Sequence, residues 1–380
     1  MELLLKPDVL KWARERAGLS ASSLALKLKT KPERVVAWET TGRLKFKEAE
    51  KLAQKTYTPF GCLYLSAPPI EKLPISDFRT VNDSEVFNPS PDLIETVDLA
   101  ILRRDWFREY QITSGFDPIA FVGSITENDG LSVAIEKIKR AINWDSALRA
   151  NFIRWEDALN AQIEAIEESG ILIMKNGVVA NNTRRKLDVD EFRGFALSDS
   201  YAPLIFINAA DSLSAQMFTL AHELVHIFLG LSGVSSLEDT YSNNRSTERF
   251  CNNVAAELLV PEAEIRSFTT NSLPVQALCR HFKVSSLVIL RRLKDIGTLT
   301  VEGFKTAYDK EVERLRALGE GRTGGSYYRT QATRIGNRFS SALVESTLEG
   351  KTSYREAIQL FGTKNVDTFK EYAIRLNFSL

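Results

Sequence analysis

The sequence predicts a mainly α-helical chain with one small β-sheet, an α+β architecture. Two observations carry this. Apolar residues recur at three- and four-residue spacing over most of the chain, the period of half-buried helices. Only residues 170–208 hold runs short and apolar enough for strands: GILIMKNG, FRGFALS and PLIFIN. At 380 residues, 44% hydrophobic and 26% charged, the chain has length for two or three domains with cores of their own.

The first sixty residues divide into short helices, which makes the N-terminal domain (1–67) all-α. Val9, Leu10, Trp12, Ala13 and Ala17 give a helical period that Gly18 ends. Residues 20–42 split into two helices around a tight turn. Ser22 or Ser23 caps the first, with Leu24, Ala25 and Leu28 inward. Pro32 suits the first turn of the second, where Val35, Val36 and Trp38 pack. A further helix runs through Phe46, Ala49, Leu52 and Ala53. Residues 68–91 are rich in proline and turn formers and read as a linker.

Helical patterns follow at about 92–112, 129–143 and 156–168. Then come the three strands, with Asp199 to Ala202 turning between the last two. Asp211 or Ser212 caps a long helix that stops near Gly230, and a second helix over about 247–259 ends at Pro261. More helices fill 266–317, where Val284-Ser285-Ser286 is a turn and Leu290, Leu293 and Ile296 are core. A glycine-rich break at 318–326 precedes a small helical tail over 327–380.

No apolar run reaches the length of a membrane span, and Met1 to Lys6 is too short and too soon charged for a secretory signal. A cytoplasmic chain without a membrane partner is expected. Cys62, Cys251 and Cys279 are an odd, unpaired set that suits a reducing compartment. The net charge is zero, yet residues 1–60 carry thirteen Lys/Arg against seven Asp/Glu. That local excess fits nucleic-acid contact, and it also fits a solvated helical surface.

The segment QMFTLAHELVHIFLGLSG (216–233) holds two of the three histidines. His222 and His226, four apart, share one helix face with β-carbons about 5–6 Å apart, so both imidazoles can reach one ion. Glu223 is turned about 100° from His222 and can reach a water on that ion. Chance supplies His-Glu-x-x-His on the order of 0.002 times per chain of this composition, so two incidental core histidines are the weaker reading. A third ligand must come from a separate element. Glu238, Asp239, Glu248 and Glu257 are the candidates, and helical period favours Glu248 only modestly. The lone His281 reads as structural.

FTLAHELVH followed by ERFCNNVAAELLVP resembles the ImmA/IrrE family of bacterial metallo-endopeptidases. Their pattern is His-Glu-x-x-His, then Glu-x-x-Ala-Asn-x-Phe-Ala-x-x-Leu-Leu-x-Pro. On it Glu248 takes the third-ligand position, and Asn252, Ala255, Leu258, Leu259 and Pro261 match. Cys251 stands in place of alanine and Val254 in place of phenylalanine; Cys251 lies one turn from Glu248 and reads as core. FRGFALSDSYAPLIFINAADSLSAQMF resembles the family's lead-in strands. LALKLKTKPERVVAWETTGR resembles the Xre/Cro-type helix-turn-helix that such proteins often carry, with Lys29 in place of the usual turn glycine.

The resemblance implies a minimal zincin-like metallopeptidase domain over 92–265, with 266–317 as a helix-turn-helix-like support. It implies zinc on His222, His226 and Glu248, although manganese or iron suits these ligands too. Glu223 is then the general base, with Tyr241 or Arg245 as a transition-state donor, and PLIFIN takes the substrate as an added strand. The implied substrate is a helix-turn-helix repressor, cut in a stress response or in mobile-element control. In the N-terminal module Lys31, Glu33, Arg34 and Ala37 would face a DNA groove, with Lys29, Arg43 and Lys45 near phosphates and a homodimer giving tight binding. The rival expectation is a DNA-binding transcriptional regulator or antitoxin-like protein whose peptidase fold is a sensor or relic.

Overall fold

The computed structural model describes residues 1–77, 89–144, 151–235, 246–269, 274–318 and 333–378. Helices dominate and the sheets are small, as the sequence predicts. The chain forms two compact units, Met1–Pro74 with Asp83–Asp98, and Ile75–Asn82 with Leu99–Leu380.

In the first unit, helices α1 (Pro7–Arg16), α2 (Ala21–Leu28), α3 (Pro32–Thr41) and α4 (Phe46–Lys55) enclose Leu10, Ala13, Leu24, Val35, Trp38 and Leu52. Three details differ from expectation. Ser20, and not Ser22 or Ser23, caps α2: its hydroxyl accepts the Ser23 N–H at 3.0 Å. Val36 is 50% exposed, because it lies a third of a turn round from the buried pair Val35 and Trp38. The region is also not purely helical. Strands β1 (Glu2–Leu4) and β2 (Arg43–Lys45) pair antiparallel and turn Leu3 and Leu44 inward. Three-residue strands are too short to show a period of two. The turn between α2 and α3 places Lys29 at φ 55°, ψ 48°, the left-handed region where glycine is usual. Glu39 receives two bonds from the Arg14 guanidinium at 2.7 and 2.9 Å, which raises the Arg14 pKa and locks α1 to α3.

In the second unit, β4 (Leu172–Asn176), β5 (Gly194–Leu197) and β6 (Leu204–Asn208) match the three expected strands. Two more were missed. β3 (Ser76–Asp77), inside the expected linker, runs parallel to β7 (Gly233–Ser235), giving the order β3-β7-β5-β6-β4. Residues 78–88 of that linker lie outside the described residues. The β5–β6 turn forms as predicted, with Asp199 accepting from the Tyr201 and Ala202 amides. Every residue of β5 and β6 is buried, which explains why they read as unbroken apolar runs.

Helices α5 (Pro91–Thr113, from residue 99), α6 (Leu131–Ala141) and α7 (Trp155–Glu168) precede the sheet, and α8 (Leu213–Leu229) packs on it. Leu220, Ala221, Leu224 and Phe228 of α8 join Ala196, Ile205 and Ile207 of the sheet in one core. Gly194 permits this approach. A β-carbon there would lie 2.5 Å from Thr219 Cγ2 and 2.8 Å from the Phe206 carbonyl. Gly194→Ala should cost about 2–3 kcal/mol of stability through overpacking. Thermal denaturation should show a fall of roughly 5 °C; an unchanged melting temperature would mean that β5 stands further from α8.

Helices α9 (Ser246–Leu259), α10 (Glu262–Thr269), α11 (Val275–Phe282), α12 (Ser286–Asp295) and α13 (Val301–Leu318) follow. Leu278, Phe282, Ile289 and Leu293 share one core with residues of α8 and α9, and Leu290 and Ile296 are also buried. The turn expected at Val284-Ser285-Ser286 begins one residue earlier, at Lys283, where φ is 54°. The Nε2 of His281 lies 2.6 Å from Glu264 Oε1.

The tail holds α14 (Asn337–Leu348), α15 (Tyr354–Phe361) and α16 (Val366–Arg375); residues 319–326 of the expected glycine-rich break are outside the described residues. Gly336 begins α14 at φ 79° and has no side chain to cap it. The cap comes from α7: Glu167 Oε1 accepts the Arg338 N–H at 3.3 Å. A β-carbon on Gly336 would meet that carboxylate at 2.8 Å and the Ile173 carbonyl at 2.4 Å. Burial pushes the Glu167 pKa up to about 7, against the backbone bonds that favour its anion. Among the described residues no helix is long and apolar enough to cross a membrane.

Candidate metal centre

Helix α8 begins at Ser212, whose hydroxyl accepts the Ala215 N–H at 3.3 Å, and ends at Gly230, φ 73°. Its seventeen residues are mostly apolar, so nearly the whole helix is buried, the two histidines included. His222 and His226 lie on one face with Nε2 atoms 3.0 Å apart. From the first turn of α9, Glu248 places Oε2 3.2 Å from His222 Nε2 and Oε1 3.3 Å from His226 Nε2. The three donor atoms lie within 4.8 Å of one another.

The neighbouring helix sets this geometry. Cys251, Val254, Ala255 and Leu258 bury one face of α9 in the core of α8, which brings Glu248 alongside the histidines. Asn252, one turn after Glu248, places Oδ1 3.1 Å from His222 Nδ1. If Nδ1–H donates to Asn252, the neutral ring keeps its Nε2 lone pair facing the cluster, the orientation a metal ligand needs. Sequence reasoning matched Asn252 to a pattern without giving it this role; its position one turn from Glu248 was the available signal. Asn252→Ala should weaken metal affinity about 10–100-fold, read by competition with a chelator. Equal affinity would show that Asn252 orients nothing.

Glu223 is completely buried on the same turn as His222, with β5 over it: a β-carbon on Gly194 would sit 3.3 Å from Glu223 Cγ. The electrostatics of the cluster call for a cation. Burial opposes a charged His222, yet the bond to Glu248 and the fields of Glu248 and Glu223 raise its pKa to about 9. Burial and the charge of His222 push His226 down to about 3. The fields of the two buried carboxylates favour positive charge at the cluster. Two imidazole nitrogens and a carboxylate converging in this buried site fit a divalent cation. Cys251 places Sγ 3.9 Å from His226 Nδ1, but burial and Glu248 push its thiol pKa well up, so it stays neutral and belongs to the core.

The other ligand candidates fall away or lie elsewhere. Glu257 pairs with Arg292 and accepts the Glu262 N–H at 3.1 Å, tying α9 to its neighbours. Glu238, Asp239, Tyr241 and Arg245 are outside the described residues. The expectation that PLIFIN takes a substrate strand is corrected: β6 is hydrogen-bonded to β4 on one side and β5 on the other, so neither of its edges can accept another chain. Lys31, Glu33, Arg34 and Ala37 of α3 are exposed, as are Lys29, Arg43 and Lys45, all within the first unit. Arg34 is already engaged, its guanidinium bonded to Glu48 and 6.0 Å from the Trp38 ring.

A buried helix presenting two imidazoles and a carboxylate, with a second carboxylate brought against them from the next helix, is an arrangement that could hold a metal ion. Residues 166–294 match the family model of the IrrE N-terminal-like domain, a peptidase family, and His222, Glu223, His226 and Glu248 all fall inside the match. Residues 335–375 match a domain of unknown function, DUF8813. No curated protein and no solved structure matches the chain.

Proposed function

We propose that the chain is a zinc-dependent, site-specific endopeptidase of the cytoplasm that cleaves a DNA-binding repressor to release gene expression. The observation that carries the peptidase reading is the buried convergence of His222, His226 and Glu248 beside Glu223, within a segment matching a peptidase model. His222, His226 and Glu248 hold the ion, zinc in this reading, with manganese and iron as alternatives to be separated by metal analysis. Such an ion supplies Lewis-acid polarisation and acidifies water at the site to near neutrality. Glu223 accepts the proton of the attacking water and returns it to the leaving amine. Asn252 keeps the His222 ring in register, and Tyr241 or Arg245 donates to the developing oxyanion.

The repressor substrate is inferred from the first unit. Its paired helices α2 and α3, its basic excess and its exposed Lys31, Arg34, Arg43 and Lys45 suit DNA, where two copies would hold the enzyme beside a DNA-bound target. The same features favour a second reading, a DNA-binding regulator in which cleavage plays no part. One experiment separates them: new protein N-termini are compared in cells expressing wild type or Glu223→Gln, with and without DNA damage. A cut within a repressor, seen only with wild type, is expected. No difference under any condition, with metal present in the purified protein, would favour the regulator.

A further inference from the structure

Outside the metal centre, the second unit has a cavity of about 460 Å³ between α5, α7 and α14. None of its lining residues comes from α8 or α9. Its volume falls in the range of small-molecule sites. Three rings line it: Phe107 and Tyr110 of α5, and Phe116 just beyond that helix. Phe116 is 53% exposed, a large apolar side chain turned partly to water at the cavity.

The charged groups around these rings are unbalanced. Among the described residues Arg338 is the only cation in the lining, and its guanidinium is engaged: it stands 6.0 Å from the Phe107 ring centroid, and Nη1 donates to the Glu167 carbonyl at 3.3 Å. Glu345 accepts from the Tyr110 hydroxyl at 2.9 Å. Glu164 and Glu168, one turn apart on α7, both line the cavity and are exposed. Like charges at that spacing repel. Among the described residues neither side chain has an ion-pair or hydrogen-bond partner.

We infer that this cavity binds a small organic cation, an amine or guanidinium on an apolar body, with the charge between Glu164, Glu168 and Glu345 and the body against Tyr110 and Phe116. Carboxylates at the rim supply the counter-charge, and aromatic faces attract a cation that inorganic ions, with their tightly held water, do not present. The cavity also lies on a seam. Glu167 and Glu168 fall within the peptidase match, and Asn337 to Glu345 within the second match. A bound cation would therefore bridge α7 to α14 and join the two segments. The inference does not rest on the peptidase chemistry.

The test is calorimetric titration of the full chain, carried in the Glu223→Gln background, with agmatine and spermidine as probes and magnesium chloride as the control. Saturable binding of one probe per chain is expected, weakened about tenfold in Glu164→Gln/Glu168→Gln, whose two exposed sites leave folding intact. Phe116→Ala, which changes no charge, should weaken it about threefold. No saturable heat with either probe at about 1 mM overturns the inference, as does binding unchanged in the double variant. Equal binding of magnesium, or no effect of Phe116→Ala, would reduce the cavity to an acidic surface and also overturns it.

Discussion

Glu223→Gln should keep its metal and lose cleavage by roughly 10²–10⁴-fold. The side chain is wholly buried beside His222, so glutamine fits the same space between α8 and β5. What it loses is the ability to accept a proton. Because the three converging donors are His222, His226 and Glu248, the ion should remain at wild-type stoichiometry. The check is paired: metal per chain in the purified variant, and initial rate on the peptide found by the N-terminal comparison. A variant that cleaves as fast as wild type would remove Glu223 from the chemistry. One that loses its metal would make Glu223 a ligand.

The second large effect is loss of the ion itself. His226 has no exposed surface and sits in the low-dielectric site with Glu223 and Glu248. Removing the cation takes positive charge away from the buried carboxylates, and removing the ring also opens a cavity in the core. An ion at a thousand times its dissociation constant stabilises the fold by about 4 kcal/mol. Stripping it by chelation should therefore lower the melting temperature by roughly 10 °C, reversed on adding metal. Glu223→Gln should show the same drop. His226→Ala should melt low from the start and ignore the chelator. If wild type melts alike with and without chelator, the cluster holds no ion that matters to folding.

The strongest parts of the fold were legible because they were long and periodic. The α8 helix, its cap and its stop follow from Ser212, an apolar run and Gly230. Two of the metal-facing side chains were readable for the same reason, since four-residue spacing on one helix is a geometric statement. The contribution of Glu248 needed a tertiary contact, and period alone left it among rivals such as Glu257, which the fold commits to Arg292. Short elements were illegible. β3 and β7 exist through pairing with each other and with β5, a long-range event with no local signature. The buried centrality of β6 was equally invisible, because an apolar run does not reveal how many neighbours it has. Lys283 hid only where its turn begins, since lysine is not the residue that left-handed backbone usually selects.

The cap that Glu167 places on α14 bears on where this chain can be cut. Two recognisable segments, 166–294 and 335–375, look like modules that inheritance could shuffle. Folding draws its boundary elsewhere. The last turn of α7 completes the first turn of α14, and Arg103, upstream of both matches, donates to the Leu360 carbonyl at 2.9 Å within the second. A fragment trimmed to the first match would keep Glu167 at the broken end of its own helix, without the amide it caps. One trimmed to the second would begin with an uncapped helix that carries glycine where a cap should be. The two matched segments share one fold and belong in one expressed chain.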